Sequence, residues 1–402
     1  MAITQLPPLS LYIHFPWCVQ KCPYCDFNSH AIKQGIPESD YINALIQDLE
    51  QQLPTIWGRS ISSIFIGGGT PSLLSVSAID QLLSAIRARL PFLADTEVTM
   101  EANPGTVEAE KFKGFFDAGV NRISIGVQSF NDQFLSTLGR IHQADEAISA
   151  FEIARNAGFK NINIDLMYAL PNQSIEQALS DLNIATKLSP EHLSWYQLTL
   201  EPNTEFHHKP PKNMANDDLL ADISEQGLTF LQQQNYHRYE VSAFSRSNDY
   251  ISQHNLNYWR FGDYLGIGAG AHSKITRADT QQITRINKRK SPKDYLNKDK
   301  TFIDKTRILE HQELPLEFML NAMRLKNGVD ENLFFETTGL LLSQINHALE
   351  KCYQRGLLIN KEKIIQPTEI GFQFLNEILN EFMDENFPKL NQQQQIKITE
   401  VK

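Results

Sequence analysis

Cysteine is scarce in this sequence. Only 4 of 402 residues carry a thiol, and three of them, Cys18, Cys22 and Cys25, fall on one short stretch. A disulfide framework spreads its cysteines along the chain and needs an oxidising compartment, so that class is excluded. Long apolar runs are also missing, which excludes a membrane-spanning helix. Met1–Ser10 has neither a basic segment nor an apolar one, so no signal peptide is expected and the chain is expected to be cytoplasmic. Positive charge is in deficit: 37 Lys and Arg face 47 Asp and Glu, a net of −10. That balance argues against a nucleic-acid partner. What is present is 41% hydrophobic residues, enough for a large core and two to three domains.

The first two-thirds of the chain alternates two kinds of segment. Short β-branched stretches at Leu9–Phe15, Ser62–Ile66, Glu97–Glu101, Arg122–Gln128, Asn161–Leu166, Leu193–Thr199 and Tyr236–Ala243 predict strands. Between them, apolar residues at helical spacing predict helices at Ser39–Leu53, Ser75–Leu90, Ala144–Ala157, Ser174–Leu188 and Asp217–Gln234. Strands alternating with helices of this length form parallel β/α units, here a complete or partial barrel. Such barrels do their chemistry at the C-terminal ends of the strands. Polar or glycine-rich residues recur there: His14–Cys18, Gly67–Pro71, Glu101–Pro104, Gln128–Asn131 and Asp165–Tyr168.

Beyond Ser245 the composition changes. Ser245–Gly270 is rich in aromatics and glycine, and Lys274–Arg307 holds 11 Lys and Arg against 4 Asp and Glu. That basic stretch reads as a solvated linker face, with anionic ligand groups or an anionic membrane surface as the alternative takers of its charge. Leu314–Leu325, Glu331–Thr337 and Leu340–Arg355 predict helices, Gly356–Ile359 with Lys363–Gln366 a hairpin, and Thr368–Met383 a closing helix, the order of a winged-helix module. The expected division is residues 1–245 as the barrel, 246–308 as a connecting region, 309–385 as the winged-helix-like domain and 386–402 as a frayed tail.

Three thiolates can hold three corners of a 4Fe–4S cluster and leave the fourth iron open to a small molecule. The plainer alternative is structural zinc completed by His14 or His30, although no second Cys-x2-Cys exists to supply the usual other knuckle. Cys352 stands alone on a helix and reads as a small core residue.

Cys18-x3-Cys22-x2-Cys25, with Tyr24 before the last cysteine, resembles the signature of the radical S-adenosylmethionine superfamily. In that superfamily the open iron is chelated by S-adenosylmethionine, and reduction cleaves the sulfonium to a 5′-deoxyadenosyl radical. The resemblance extends over about Leu9 to Met383 to the oxygen-independent coproporphyrinogen III dehydrogenases, through Tyr12–Cys18, Gly126–Asn131, Leu138–Arg140, Asn163–Pro171 and Gly266–Ser273. It implies that Tyr12, Tyr24, Gly68, Gly69, Thr70, Glu101, Gln128, Arg140 and Asp165 contact S-adenosylmethionine, the glycines by exposing backbone donors. The plain readings of these residues are a β/α turn, strand-end caps and a surface cation.

Three departures shift the implied function. The dehydrogenases carry a fourth cysteine where this chain has Phe27, and a longer segment before the first cysteine than the 17 residues here. The third is His254-Asn255-x-x-Tyr258-Trp259, which resembles haem chaperones of the HemW type. The resemblance implies a haem-binding protein that passes haem to an acceptor protein, with His254 on the haem iron and a flavodoxin or ferredoxin as electron donor. No residue is assigned a catalytic role. On spacing alone His254 reads as a core histidine among aromatics. The alternative function is the oxidative decarboxylation of coproporphyrinogen III.

Overall fold

The computed structural model describes residues 3, 5–33, 35–106 and 109–383. The tail expected at 386–402 lies outside the described residues.

Twelve strands form one sheet. In chain order they are β1 (Leu9–Phe15), β2 (Ile61–Gly68), β3 (Phe92–Ala102), β4 (Arg122–Gln128), β5 (Ile162–Tyr168), β6 (His192–Gln197), β7 (His237–Arg238) and β8 (Ala243–Ser245). Four more follow: β9 (Asp263–Ile267), β10 (His272–Arg277), β11 (Gln282–Lys288) and β12 (Ile303–Ile308). The spatial order is β12-β11-β10-β9-β1-β2-β3-β4-β5-β6-β8-β7. β1 to β6 run parallel, and β9 joins β1 in parallel. The two flanks, β10 to β12 and β7 to β8, are antiparallel. The sheet stays open between β12 and β7, so the barrel is partial.

Crossover helices cover the outer face: α1 (Glu38–Gln52), α2 (Val76–Arg87), α3 (Ala109–Ala118), α5 (Ala144–Ala157), α6 (Ile175–Leu188) and α7 (Asp217–Gln233), while the short α4 (Asp132–Thr137) packs Phe134 in a separate cluster that includes Tyr24. Local chemistry fixes their ends. Ser174 and Gln177 form a capping box at the start of α6, and Gly158, at φ 111°, closes α5 in the left-handed region. Leu9, Leu11, Ile13 and Phe15 alternate towards these helices and join the main apolar core, which sends Ser10, Tyr12 and His14 to the other face, the lumen. The same period puts Glu97, Thr99 and Glu101 of β3, Arg122 and Ser124 of β4, and Asn163 and Asp165 of β5 on that lumenal face.

The floor of the lumen is a short helix, α8 (Gln253–Trp259). Its first amides, on Gln253 and His254, donate to the Glu97 carboxylate at 3.1 and 3.2 Å, an anion at a helix start. After β12 the chain forms α9 (Leu314–Ala322), α10 (Asn332–Thr338) and α11 (Asn346–Gln354), which enclose a second apolar core with Trp259 and Phe261. The hairpin there gains a partner unforeseen from sequence: Ile364–Ile365 pairs with Val329–Asp330. The closing helix is broken into Glu369–Gln373 and Leu375–Glu381 at Phe374.

The basic stretch is not a solvated linker. It supplies β10, β11 and β12, and two of its lysines are fully buried. Lys274 pairs with Asp263 at 3.0 Å, while Lys288 pairs with Asp48. Arg277, Arg285, Arg289, Lys300 and Arg307 are also paired with carboxylates. Two of its lysines are thus spent inside the protein and five further cations are held by carboxylates. Lys290, Lys293, Lys298 and Lys305 stay exposed, which narrows the support that the stretch gave to anionic-ligand or membrane binding.

Candidate functional site

The lumenal residues meet the cysteine loop at the C-terminal ends of β1 to β6. The loop leaves β1 and is tied down by a two-residue ribbon, Trp17–Cys18 beside His30–Ala31. Cys18 is buried, Cys22 and Cys25 are half-buried, and none is disulfide-bonded. Burial pushes the Cys18 and Cys25 thiols up, and the Ser29 hydroxyl opposes the shift at both. The Arg140 guanidinium donates to the Cys22 sulfur at 3.8 Å. Arg140 is no surface cation: its other arm donates to the Gly126 carbonyl at 2.6 Å, and its buried Nε has no protein partner. The ring of Tyr24 packs beside Arg140 on a small apolar cluster that includes Leu138, Met167 and Phe206.

The glycine run shapes the seat rather than supplying donors. Gly68 sits at φ 116°, and a Cβ there would lie 2.5 Å from the His14 ring; a Cβ on Gly69 would lie 2.3 Å from the Trp17 carbonyl oxygen. The amides expected to face a ligand are already used. Gly68 donates to Glu101 at 2.9 Å, Gly69 to the Phe15 carbonyl at 2.7 Å and Thr70 to the Trp17 carbonyl at 2.8 Å. The run therefore locks the cysteine loop against β2, a role that its sequence alone did not reveal.

Around that seat stand the polar residues. Glu101 is held by the Gly68 amide, yet burial and the nearby Asp165 carboxylate push its pKa up to about 7. Asp165 accepts from Ser124 at 2.8 Å and from Asn163 at 2.8 Å, and burial raises its pKa as well. Gln128 ends β4 after a register shift, at φ 72°, a backbone strain that turns its side chain into the lumen; Tyr196 donates to it at 2.7 Å. Tyr12 and His14 face each other at 2.9 Å, and the far nitrogen of His14 is 3.0 Å from the Asn28 carbonyl. His14 thus joins the lumen to the cysteine loop with both ring nitrogens engaged, which removes it as the fourth ligand of a structural zinc. Tyr196, Ser124, Asn163 and Asn28 were missed by sequence reasoning; the period-two alternation of the strands was the signal for the first three.

His254 is placed apart from this group, in the floor beneath Tyr12. It is buried, its Nδ1 lies 3.1 Å from the Ser63 hydroxyl and its Nε2 2.9 Å from the Tyr258 hydroxyl. Phe65, Tyr12 and Tyr258 surround its ring, and burial pushes its pKa down to about 3. Other side chains of α8 also pack into the floor. Asn257 bonds Ser10 and the Asp263 carbonyl, and Trp259 stacks under Arg324, with the cation 4.3 Å from the ring centre. In this conformation His254 is a core histidine among aromatics, not an exposed ligand.

Three free thiols on one loop, a buried orphan Nε on Arg140 and a glycine-walled seat fit a cluster that leaves one iron for a small zwitterionic ligand. The donor set is all sulfur, which suits iron–sulfur chemistry.

Comparison with known proteins agrees. The Radical SAM superfamily model matches residues 12–184, and the HemN C-terminal domain model matches residues 309–374. The chain is 51% identical to the heme chaperone HemW of Haemophilus influenzae, over 95% of this chain and 99% of that one. It is 50% identical to the heme chaperone HemW of Escherichia coli, over 95% and 100% of the two chains, and 34% identical to that of Bacillus subtilis, over 94% and 99%. Among solved structures, coproporphyrinogen III oxidase (HemN) from Escherichia coli, a radical SAM enzyme, superposes with a TM-score of 0.79 at 25% identity, covering 94% of this chain and 91% of that one. Among the described residues no helix is long and apolar enough to cross a membrane. The superfamily's 4Fe–4S cluster and S-adenosylmethionine thus come with the fold, and the chain belongs to the HemW family of radical SAM proteins.

Proposed function

We propose that this protein is a cytoplasmic haem chaperone that binds haem and transfers it to an acceptor protein. The observation that carries the reading is Phe27, which stands exposed where the dehydrogenases of the same fold place a further cysteine. The near-full-length likeness to proteins named as haem chaperones supports it. Cys18, Cys22 and Cys25 would hold the cluster, with Arg140 in hydrogen-bond contact with the Cys22 sulfur. When bound, cluster and S-adenosylmethionine supply one-electron reduction of a sulfonium.

The chain's own residues bind and orient. Glu101 and Asp165 offer carboxylates to the ammonium or ribose, Gln128 and Tyr196 close the side towards β6, Tyr24 packs near the adenine, and Gly68, Gly69 and Thr70 keep the loop in place. Tyr12 sets the depth of the seat above the floor. A low-potential flavodoxin or ferredoxin serves as electron donor. In our reading His254 reaches haem iron only in a state in which α8 has left the floor, because both of its nitrogens are otherwise engaged. The division into a barrel (1–245), a region joining it to the C-terminal module (246–308) and that module (309–385) belongs to the same proposal.

The second reading, coproporphyrinogen III decarboxylation, has the fold likeness to the oxidase in its favour. Anaerobic reconstitution separates the two: the chaperone binds haem and makes no protoporphyrinogen IX from coproporphyrinogen III. Turnover of that substrate would overturn the proposal.

A further inference from the structure

On the outer side of the cysteine loop, exposed apolar groups and cations gather on this acidic protein. Val19 and Phe27 are exposed there at 46% and 42%. Lys21 lies between them and donates to the Phe27 carbonyl at 3.1 Å, holding both ends of the loop together. Two neighbouring segments add charge. Asn28 bonds the Lys290 carbonyl at 2.8 Å, which brings exposed Lys290 and Lys293 to the loop, and Ile32 donates to the Cys18 carbonyl at 3.0 Å, which places exposed Lys33 beside it. Asp294, next to Lys293, is paired with Lys300, and the patch carries four exposed lysines, Lys21, Lys33, Lys290 and Lys293. Behind this patch Cys22 and Cys25 are only half-buried.

We propose that this face is the docking surface for an acidic, low-potential one-electron carrier. The inference rests on the assignment of the three cysteines to the cluster, and it deepens the proposed function by placing its electron donor. Small redox encounters use a compact apolar centre inside a charged rim, with on-rate set by complementary charge. The net charge of −10 repels an acidic partner from the rest of the surface, so the lysine rim also selects orientation. The step is a single electron: a flavodoxin hydroquinone is oxidised to its semiquinone and the cluster is reduced by one electron, with no group transferred.

The test uses the full chain, reconstituted anaerobically without haem, and a flavodoxin as probe. Flavodoxin affinity by calorimetry, and cluster bleaching by flavodoxin hydroquinone, should fall at least about tenfold in Lys21→Glu with Lys290→Glu, with a flatter salt dependence. Bleaching by dithionite should not change. Val19→Ser with Phe27→Ser should slow flavodoxin alone while keeping the salt dependence. Unchanged flavodoxin affinity and rate would overturn the proposal, as would loss of binding to anionic vesicles with flavodoxin binding intact. If the loop variants lose the cluster, Lys293→Glu, outside the loop, replaces them, with about a threefold drop supporting the proposal and none overturning it. Failure to bind haem would sink the chaperone reading and leave this result untouched.

Discussion

Glu101 concentrates the residue-scale argument, because one carboxylate is shared between the loop lock and the ligand seat. Its pKa is raised to about 7 chiefly by burial, so between the ordinary carboxylate range and pH 7 the folded protein keeps a proton that the unfolded chain has lost. Glu101 therefore favours the ligand-free fold at low pH, and that contribution is lost as pH rises through its folded value. A cationic ligand needs the opposite state. Affinity for S-adenosylmethionine, measured by anaerobic calorimetry, should rise by up to about tenfold from about pH 6 to about pH 8, and Glu101→Gln should flatten the rise. A wild-type profile already flat would remove Glu101 from the ligand's cation. Gly69 tests the lock itself. Alanine there meets the Trp17 carbonyl at 2.3 Å, so Gly69→Ala should cost about 1–3 kcal/mol or more in denaturant unfolding and reduce cluster retention.

At the scale of elements, α8 carries the sharpest contrast between sequence and structure. Its His254-Asn255-x-x-Tyr258-Trp259 string resembles a haem motif, yet His254 and Tyr258 bond each other and Trp259 lies under Arg324, all in the floor of the lumen. His254→Ala removes two buried hydrogen bonds and leaves a cavity, so unfolding free energy should fall by about 2–4 kcal/mol. Under the proposed function haem affinity should fall with it while cluster absorbance is retained; unchanged haem affinity would confine His254 to packing. The parallel strands and their crossover helices were legible because hydrophobic alternation and cap residues are local signals: β1, β4 and α5 lie where periodicity put them. The strand expected at Tyr236–Ala243 splits into β7 and β8 because pairing with β6 begins only at Ala243. β9 to β12 were illegible for a different reason. The lysines and arginines of β10 to β12 look solvated in one dimension and find carboxylates as distant as Asp48 only in three.

For the whole molecule, that distant pair is a joint. Lys288 and Asp48 are both fully buried, with Tyr295 donating to the same carboxylate at 2.7 Å, so the antiparallel flank is pinned to α1 beside the cysteine loop. Lys288→Met should cost about 3–5 kcal/mol by leaving Asp48 uncompensated, and a double change with Asp48→Leu should recover part of the loss. The site was half legible at this scale. The cysteines and strand-end residues announced themselves by position, while the use of the Gly68–Thr70 amides inside the protein could be seen only once the loop was folded over β2. The proposed function is that of a cluster-bearing barrel that handles haem rather than decarboxylating a porphyrinogen. The most direct measurement offers haem and coproporphyrinogen III together to the anaerobically reconstituted protein with reductant and S-adenosylmethionine. Haem retained through gel filtration, with no protoporphyrinogen IX formed, is the predicted result; protoporphyrinogen IX formed by a protein that does not retain haem would contradict it.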